Sequence, residues 1–369
     1  MSIAAPAPAP AAGPTGPTGT AARMRRATTS SRVFVVLSVP LVAWLVLLTR
    51  GDSAATHNKL VELCVLVVLA SMWNLLAGYS GLVSVGQQAF VGIGAYTLIV
   101  FGNGFDQDIY FSVLPAGVVA AVLAIPIGLI AFRLRGAYFA VGTWVIAEVV
   151  KLIITNNTGD VIKGGSGTSL EVPTSIYPVL SRSQTTALIA VLLMIAAVLT
   201  VYVVLRSRLG LALQAIRDSE DGARGLGVDV YRARFAVWLI AAAFTGLAGA
   251  VNYLQALRVQ PESAFSVAQW TAPIIVIVVV GGIGTIEGPI LGAVVYYMLR
   301  DYLTDPDSAI HVTNEVYLLA SGVVAVVCAL YLRRGIWGAL TRMLPRLQLF
   351  PVRRRLELGP TPGGDTDGP

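Results

Sequence analysis

Polar and ionisable side chains embedded in apolar stretches are the residues of this sequence that could do chemistry. They lie in a glycine-rich stretch at 74–97, in an apolar run at 137–154 and in a second glycine-rich stretch at 271–299. Such groups must face protein or water at membrane depth, because contact with hydrocarbon is costly. The pattern indicates a pathway for a polar solute rather than bond-breaking chemistry, and its candidate lining residues are Ser84, Gln87, Gln88, Glu148 and Glu287.

Each of these candidates also has a purely structural interpretation. Gln87 and Gln88 follow many glycines, so they could belong to a tightly packed, partly broken helix that binds nothing. Glu148 and Lys151 lie three apart on one helical face and could simply pair with each other near the outer membrane surface. Both interpretations stay open on the sequence alone.

The sequence disfavours several other kinds of chemistry. Cys64 and Cys328 lie in apolar runs with no CxxC spacing, which is typical of small core residues rather than metal ligands or a disulfide. We interpret the two histidines, His57 and His311, as surface residues of external loops. The loop at 156–184 contains GGSGTS but lacks the GK[ST] of a phosphate-binding loop. We therefore expect no metal site, no nucleotide site and no cofactor in this chain.

A charged segment at 206–234, RSRLGLALQAIRDSEDGARGLGVDVYRAR, separates two long apolar runs. Its pattern predicts a short helix capped by Ser207 and ended by Gly225 or Gly227, with Leu213, Ile216 and Glu220 on one face. Opposite charges four residues apart support such a helix by about 0.2–0.5 kcal/mol each. The pairs are Arg217 with Asp221 and Glu220 with Arg224. The helix is either a docking surface for a soluble partner or an ordinary solvated loop helix.

The elements that must position these residues are membrane-spanning helices. The 369 residues are 56% apolar and only 12% charged, whereas about a quarter of a soluble domain is charged. About 20 apolar residues cross the ~30 Å hydrocarbon core, and the sequence predicts an all-α transmembrane bundle with broken or re-entrant helices. Ten spans fit best, and eight or nine stay possible. The spans are 33–49, 60–77, 82–101, 109–132, 137–154, 185–205, 235–257, 271–280, 288–299 and 316–332.

The distribution of basic residues sets the orientation. With both termini in the cytoplasm, 19 of the 26 Lys and Arg residues lie on the cytoplasmic side and six lie outside. This asymmetry is the positive-inside rule, so the net charge of +6 reflects topology and not nucleic-acid binding. The partner of the bundle is the lipid bilayer.

Three regions follow along the chain. Residues 1–31 are rich in Pro, Ala and Gly and predict a disordered cytoplasmic tail. Residues 32–335 form the transmembrane domain, which includes the 206–234 loop and begins with an uncleaved span rather than a signal peptide. Residues 336–369 predict a basic and then disordered cytoplasmic tail. Glycine-interrupted segments in both halves are typical of duplicated transporter folds.

Five motifs occur together in order between about residues 60 and 332: NLLAGYSGLVSVGQQAFVGIGAY, LRGAYFAVGTWVIAEVV, GGSGTSLEVP, SRLGLALQAIRDSEDGARGLGVD and VVVGGIGTIEGPILGAVV. In this respect the chain resembles the M-type permease subunits of branched-chain amino acid ABC importers. The resemblance implies that the chain is a transport subunit in a bacterial cytoplasmic membrane. It also implies that the chain itself is not an enzyme. It also implies as partners two ABC ATPase subunits that hydrolyse ATP, a second, H-type permease and an extracytoplasmic solute-binding protein.

The same resemblance implies an ATPase-coupling contact within the charged segment. The implied residues are Gly210, Ala215, Arg217, Glu220, Ala223 and Gly227. The chain departs from the family's pattern after Glu220, where Gly222 and Gly225 replace more typical alanines. Glycine in a helix costs about 1 kcal/mol relative to alanine, which predicts a looser coupling helix.

Two other functions compete with an importer permease. A stand-alone ion-coupled secondary transporter would use Glu148 and Glu287 for coupling and would have no use for a docking helix. An integral-membrane enzyme would need a cluster of catalytic side chains at one membrane face, and the two histidines are scattered. The sequence leaves open which amino acid or amide is carried, and whether the permease pairs with a different chain or with a second copy.

Overall fold

The computed structural model describes residues 23–24, 46–51, 53–105, 108–157, 159, 161–172, 176–304, 313–331, 335–343 and 356–357. These residues are almost entirely helical, with only four two-residue strands. Six of their helices are long and apolar enough to cross a membrane. The predicted all-α polytopic fold is confirmed, and the first predicted span at 33–49 lies mostly outside the described residues.

The secondary-structure elements alternate between long spans and short interruptions. The α-helices are α1 (Ala54–Asn74), α2 (Gln87–Ile99), α3 (Leu114–Ala131), α4 (Ala137–Thr155), α5 (Val179–Arg206), α6 (Arg208–Asp218), α7 (Glu220–Gly225), α8 (Val230–Ala256), α9 (Pro261–Ala264), α10 (Ala272–Gly281), α11 (Glu287–Thr304), α12 (Asn314–Tyr331) and α13 (Gly335–Met343). The π-helical turns are Leu75–Tyr79, Val100–Gly104 and Val267–Thr271, and the 3-10 turns are Phe111–Val113 and Gly164–Ser166. The strands are β1 (Arg23–Met24), β2 (Thr168–Ser169), β3 (Arg258–Val259) and β4 (Leu356–Glu357).

Helix α1 is the centre of the bundle. It is buried along almost its whole apolar length and packs against α5, α8, α10 and α11, while α2 packs against α8 and α3. Only a third of the apolar stretches of α3 and α5 and less of that of α4 is buried, as expected of helices that face lipid or another membrane subunit. Helix α4 is the least buried of the six.

The second and third predicted spans are separated by an irregular segment at 80–86. The span predicted at 82–101 is wrong at its beginning, because α2 begins only at Gln87. Gly81 adopts a positive φ of 73°, and a methyl group at Gly86 would lie 2.3 Å from the backbone oxygen of Thr143. The Trp73 indole donates to the Ser84 carbonyl at 2.7 Å, so the chain folds back beside α1. Helix α2 therefore begins inside the bundle, and the prediction of broken helices is confirmed.

Small residues allow α2 and α8 to cross at close range. A methyl group at Gly94 would lie 1.9 Å from the Gly246 oxygen, and one at Gly249 would lie 2.2 Å from the Val91 oxygen. In lipid, helices associate through such close backbone packing rather than through the hydrophobic effect. This crossing fixes the position of the N-terminal end of α2.

The ends of the chain contribute two further features. Helix α13 contacts α10 and α11 and buries Trp337, so this helix packs against the bundle. Strand β1 pairs with β4, and β2 with β3, both antiparallel. Most of the two tails lies outside the described residues, and their disorder stays a prediction.

We expect Gly94→Ala to destabilise the bundle, because the added methyl must push α2 away from the α8 backbone. Overpacking of this kind costs about 1–3 kcal/mol. Thermal unfolding of the detergent-solubilised protein would show a lowered Tm. The control is Gly322→Ala in α12, where the new methyl meets no atom within 4 Å. An equal effect of the two substitutions would contradict the close α2–α8 crossing.

Candidate coupling and translocation site

The central polar segment (residues 206–234) folds into two short helices rather than the single helix predicted. Helix α6 begins after Ser207, whose hydroxyl accepts the Leu209 N–H at 3.2 Å, so the predicted cap is confirmed. Ser219 interrupts the helix with an extended backbone, and its hydroxyl accepts the Gly222 N–H at 3.1 Å to cap α7. Serine competes for backbone donors in this way, which favours caps over helix interiors.

The ends and the buried face of the segment follow the prediction more closely. Helix α7 ends at Gly225, and Gly227 adopts a φ of 80° at the following turn. Leu213, Ile216 and Ala223 are buried against the bundle. Gly210 lies close to the end of α5, since a methyl group there would be 2.4 Å from the Leu205 oxygen. The segment is thus packed onto the bundle and is not a loosely solvated loop.

Of the two predicted ion pairs in this segment, one is formed. Arg224 binds Glu220 at 2.7 Å, and Arg234 binds the second oxygen of the same carboxylate at 2.9 Å. The predicted pair between Arg217 and Asp221 is wrong. Arg217 instead donates from Nη1 to the Gly78 carbonyl at 2.7 Å. Gly78 lies in the π-helical turn that follows α1, where carbonyl groups at a helix end lack partners within the helix and can accept from a side chain.

Glu220 is held in its charged form by these arginines. Burial raises its pKa, but the hydrogen bond from Arg234 and the charges of Arg234, Arg224 and Arg135 outweigh burial, and the pKa is lowered. A lowered pKa in the folded state stabilises the fold at neutral pH, and that contribution is lost as the pH falls below the ordinary Glu range. Glu220 therefore fastens α7 to the beginning of α8.

The two glycine-rich interruptions meet at one place, which we call the glycine junction (Asn74, Gly78, Arg217, Gly284 and Thr285). The Asn74 side chain donates to the Thr285 carbonyl at 2.7 Å and accepts the Gly284 N–H at 2.8 Å. A methyl group at Gly78 would lie 2.7 Å from the Gly284 nitrogen, and one at Gly284 would lie 2.6 Å from Nη1 of Arg217. The central polar segment thus contacts both interruptions at once.

The structure brings Glu287 to the neighbourhood of this junction. Glu287 begins α11 two residues after Thr285, and both Glu287 and Arg217 lie close enough to Tyr79 to act on it electrostatically. Glu287, a candidate for the pathway, and Arg217, a candidate for coupling, are therefore neighbours. The sequence did not predict this proximity.

Gln87 and Gln88 occupy the buried beginning of α2. Each side-chain oxygen accepts a hydroxyl from another helix: Thr245 donates to Gln87 at 3.1 Å, and Thr271 donates to Gln88. Neither amide nitrogen has a hydrogen-bond partner among the described residues. Ser84, just before α2, accepts the Gly86 N–H at 3.2 Å. Buried amide donors without partners are uncommon in proteins, and here two of them belong to consecutive residues.

Glu148 lies on the outward side of α4 and not with the glutamines. Its side chain is 41% exposed, and Lys151 lies 3.8 Å from it. Lys151 has a closer partner in Glu262 of α9, at 2.7 Å. The predicted pairing of Glu148 with Lys151 is therefore present but is the longer of two contacts.

One residue was misjudged from the sequence. His57 is fully buried, not on the surface as predicted. Its Nδ1 lies 3.0 Å from the Ser183 hydroxyl, which itself donates to the Leu180 carbonyl at 2.8 Å. A histidine at the beginning of a buried apolar helix is the signal that could have revealed this.

Comparisons with known proteins identify the relatives of this chain. The family model described as the permease component of the branched-chain amino acid transport system matches residues 56–331. The chain is 28% identical over 348 residues to the high-affinity branched-chain amino acid transport permease LivM of Escherichia coli, covering 87% of this chain and 78% of that protein. It is 25% identical over 204 residues to the nucleoside ABC transporter permease NupC of Lactococcus lactis, covering 52% and 64%. No solved structure matches.

We expect Asn74→Leu to destabilise the protein strongly, because it leaves the Gly284 N–H and the Thr285 carbonyl unpaired. A buried group left without a partner costs about 1–3 kcal/mol, and these two groups are half-buried. The matched control is Asn103→Leu, since Asn103 also bridges two backbone groups, Ser169 O at 2.9 Å and Glu171 N at 3.0 Å, but at an exposed site. Thermal unfolding in detergent should show the larger Tm decrease for Asn74→Leu. A smaller decrease than in the control would contradict the role of the junction.

Proposed function

The chain belongs to the family of branched-chain amino acid transport permease components, and we propose that it forms the translocation pathway for branched-chain or closely related amino acids. It is a multi-pass membrane subunit of an ABC transporter, and we place it in a bacterial cytoplasmic membrane. In this proposal a solute-binding protein delivers the substrate to the outer face. Two separate ATPase subunits hydrolyse ATP, so the chain itself is not an enzyme and holds no cofactor.

The exposed apolar side chains of the central polar segment are the observation that carries the proposal. Leu226 is 83% exposed and Leu211 is 57% exposed, although this segment carries the charges of a water-exposed surface. Protein interfaces typically bury large apolar side chains at their centre and keep charged side chains at the rim. We assign this surface to the ATPase subunits.

The coupling residues inferred from the family then divide into two roles. Gly210, Arg217, Glu220 and Ala223 fasten the segment to the bundle through the contacts described above. Ala215 is half-buried within α6, and Gly227 provides the turn into α8. We propose that these six residues transmit the movement and that their exposed neighbours make the contact with the ATPase.

A continuous route leads from this surface to the buried glutamines. Arg217 donates to the Gly78 carbonyl at 2.7 Å, and Nε of Arg234 donates more weakly to the Ser80 carbonyl at 3.4 Å. Residues 80–86 follow directly and end at Gln87. A displacement of the central polar segment would therefore pull on the backbone that positions Ser84, Gln87 and Gln88.

The free amide donors of Gln87 and Gln88 suit the carboxylate of an amino acid. They lie at the N-terminal end of α2, where the helix dipole also favours negative charge. Broken-helix ends of this kind bind zwitterionic substrates in other transporters without full protein charges. In this proposal the carboxylate pairs transiently with these donors as the substrate passes.

The exposure of Glu148 supports a proposal for the position of the second permease subunit. A half-exposed carboxylate facing hydrocarbon is costly, so we propose that the outward side of α4 is covered by an H-type permease and by the aqueous pathway between the two subunits. Glu287 would then act at the cytoplasmic end, near the glycine junction.

The proposal is tested by purifying the tagged protein from its native membrane in mild detergent and identifying the proteins that accompany it. We expect two ATPase subunits and a second permease. Leu226→Asp should reduce the recovered ATPase about tenfold, equivalent to about 1.4 kcal/mol, because it places a charge at the apolar contact. Arg232→Gln, in the same segment, should leave recovery unchanged.

Recovery of the chain alone would contradict the proposal and favour an ion-coupled secondary transporter. Full recovery of ATPase with Leu226→Asp would contradict the assigned surface. Leu226 is a better choice than Glu220 for this test, because Glu220 also holds two arginines of its own chain.

A further inference from the structure

A cavity of about 580 Å³ lies beside the central polar segment, away from the buried glutamines. Its walls come from the segment after α1, the loop before α4, the first turn of α7 and the beginning of α8. Small-molecule sites in proteins typically occupy roughly 300–1,000 Å³. The cavity is therefore large enough for a metabolite together with some water.

The charges that line the cavity are of two kinds. Glu220, Arg224 and Arg234 satisfy one another through the ion pairs already described. Arg135 and Asp221 also line the cavity, and neither has an ion-pair or hydrogen-bond partner among the described residues. Arg135 and Asp221 thus leave one positive and one negative side chain outside these ion pairs, and the five charged side chains of the lining carry a net charge of +1.

These two charges come from different structural elements. Arg135 lies in the loop between α3 and α4, and its charge reaches Glu220 strongly enough to help lower the pKa of that carboxyl. Asp221 follows Glu220 in the first turn of α7. A ligand that touched both would connect the α3–α4 loop to the central polar segment.

The remaining wall of the cavity is apolar and open. Val83 and Leu134 are both exposed at the surface, and the rings of Phe132 and Phe139 line the cavity with them. Gly136 adopts a φ of 57°, and a methyl group there would meet no atom within 4 Å. The aliphatic part of a ligand could therefore pack against these side chains without displacing the backbone.

We propose that this cavity is a binding site, on the cytoplasmic side, for a zwitterionic amino acid with an apolar side chain. Arg135 binds the carboxylate, Asp221 binds the ammonium group, and the side chain packs against Val83, Leu134 and Phe132. The two charges favour a zwitterion, since a simple anion would leave Asp221 without a partner and a simple cation would enter a lining whose net charge is already positive. The proposal rests on the proposed function for the source of the ligand, which is the amino acid released on this side.

Occupancy of the site has a consequence for transport. The bound amino acid connects the loop before α4 to α7 and so restrains the movement of the segment that contacts the ATPase. Because imported substrate accumulates on this side of the membrane, a filled site slows further import. The cavity thereby reports the internal concentration of the product.

The first test is direct binding of radiolabelled L-leucine to the purified permease complex, without solute-binding protein, by equilibrium dialysis. We expect Arg135→Gln and Asp221→Asn each to weaken binding at least about tenfold, the effect of losing one charge-assisted contact. Arg133→Gln and Asp218→Asn are the matched controls, because both residues are exposed neighbours that do not line the cavity. Both controls should bind leucine as the unmodified complex does.

Ligand analogues test the same site without any substitution. 4-Methylpentanoate lacks the ammonium group and 3-methylbutylamine lacks the carboxylate, so each should compete with leucine at least about tenfold more weakly than unlabelled leucine does. Equal competition by either analogue would overturn the zwitterion site. Leucine binding that is lost in Gln88→Leu but retained in Arg135→Gln would belong to the translocation pathway and would also overturn it.

The second test measures uptake into vesicles that contain the complex. For each variant, the initial rate of uptake with leucine inside the vesicles is divided by the rate without internal leucine. Each variant thereby serves as its own reference. Internal leucine should lower this ratio in the unmodified complex, and the ratio should approach one in Arg135→Gln. A ratio near one in the unmodified complex would overturn the restraint on transport. Absence of ATPase partners would refute the proposed function, but the binding assay would still decide whether the cavity is a site.

Discussion

The hydrogen bonds between Asn74 and the backbone of Gly284 and Thr285 are the interaction on which the rest of the structure depends. A helix that breaks within a membrane exposes backbone N–H and carbonyl groups, and hydrocarbon offers them no partners. Here two such breaks, about 210 residues apart in the sequence, lie against each other in the structure. A single amide satisfies a donor and an acceptor of one break, and Arg217 satisfies a carbonyl of the other.

This solution ties a surface element to the interior of the bundle. Arg217 belongs to α6, outside the predicted spans, yet its guanidinium lies between Gly78 and Gly284. Only glycine at these two positions leaves room for the approach, because a methyl group at either would lie within 3 Å of a neighbouring atom. The chain from Gly78 leads within a few residues to the glutamines at the beginning of α2. The surface segment and the buried polar groups are therefore joined through one short stretch of chain.

Local patterns in the sequence were enough to predict much of this molecule. Apolar length located the spans, the serine at 207 located a helix cap, and the spacing of Glu220 and Arg224 predicted an ion pair that forms. These rules work because they concern neighbours along one helix. The rules fail where a residue distant in the sequence competes for the same side chain. Arg217, for example, binds a carbonyl 139 residues away and not Asp221.

The same limit explains the other errors. Lys151 forms its closer ion pair with Glu262 on α9. His57 contacts the hydroxyl of Ser183, which lies 126 residues later in the sequence. Neither partner could be identified without knowing which helices pack together. The Asn74 contacts had no local signature at all, since an isolated asparagine at the end of an apolar run resembles a simple helix end. The candidate site was thus predictable as a set of residues but not as a connected arrangement.

The central claim is that Arg217 links the central polar segment to residues 80–88, and hydrogen–deuterium exchange tests it most directly. Exchange of the backbone amides would be compared between the unmodified protein, Arg217→Gln and the control Arg232→Gln. The account predicts faster exchange at 80–88 in Arg217→Gln, and unchanged exchange there in Arg232→Gln. Unchanged exchange at 80–88 in Arg217→Gln, or an increase confined to 206–234, would contradict it.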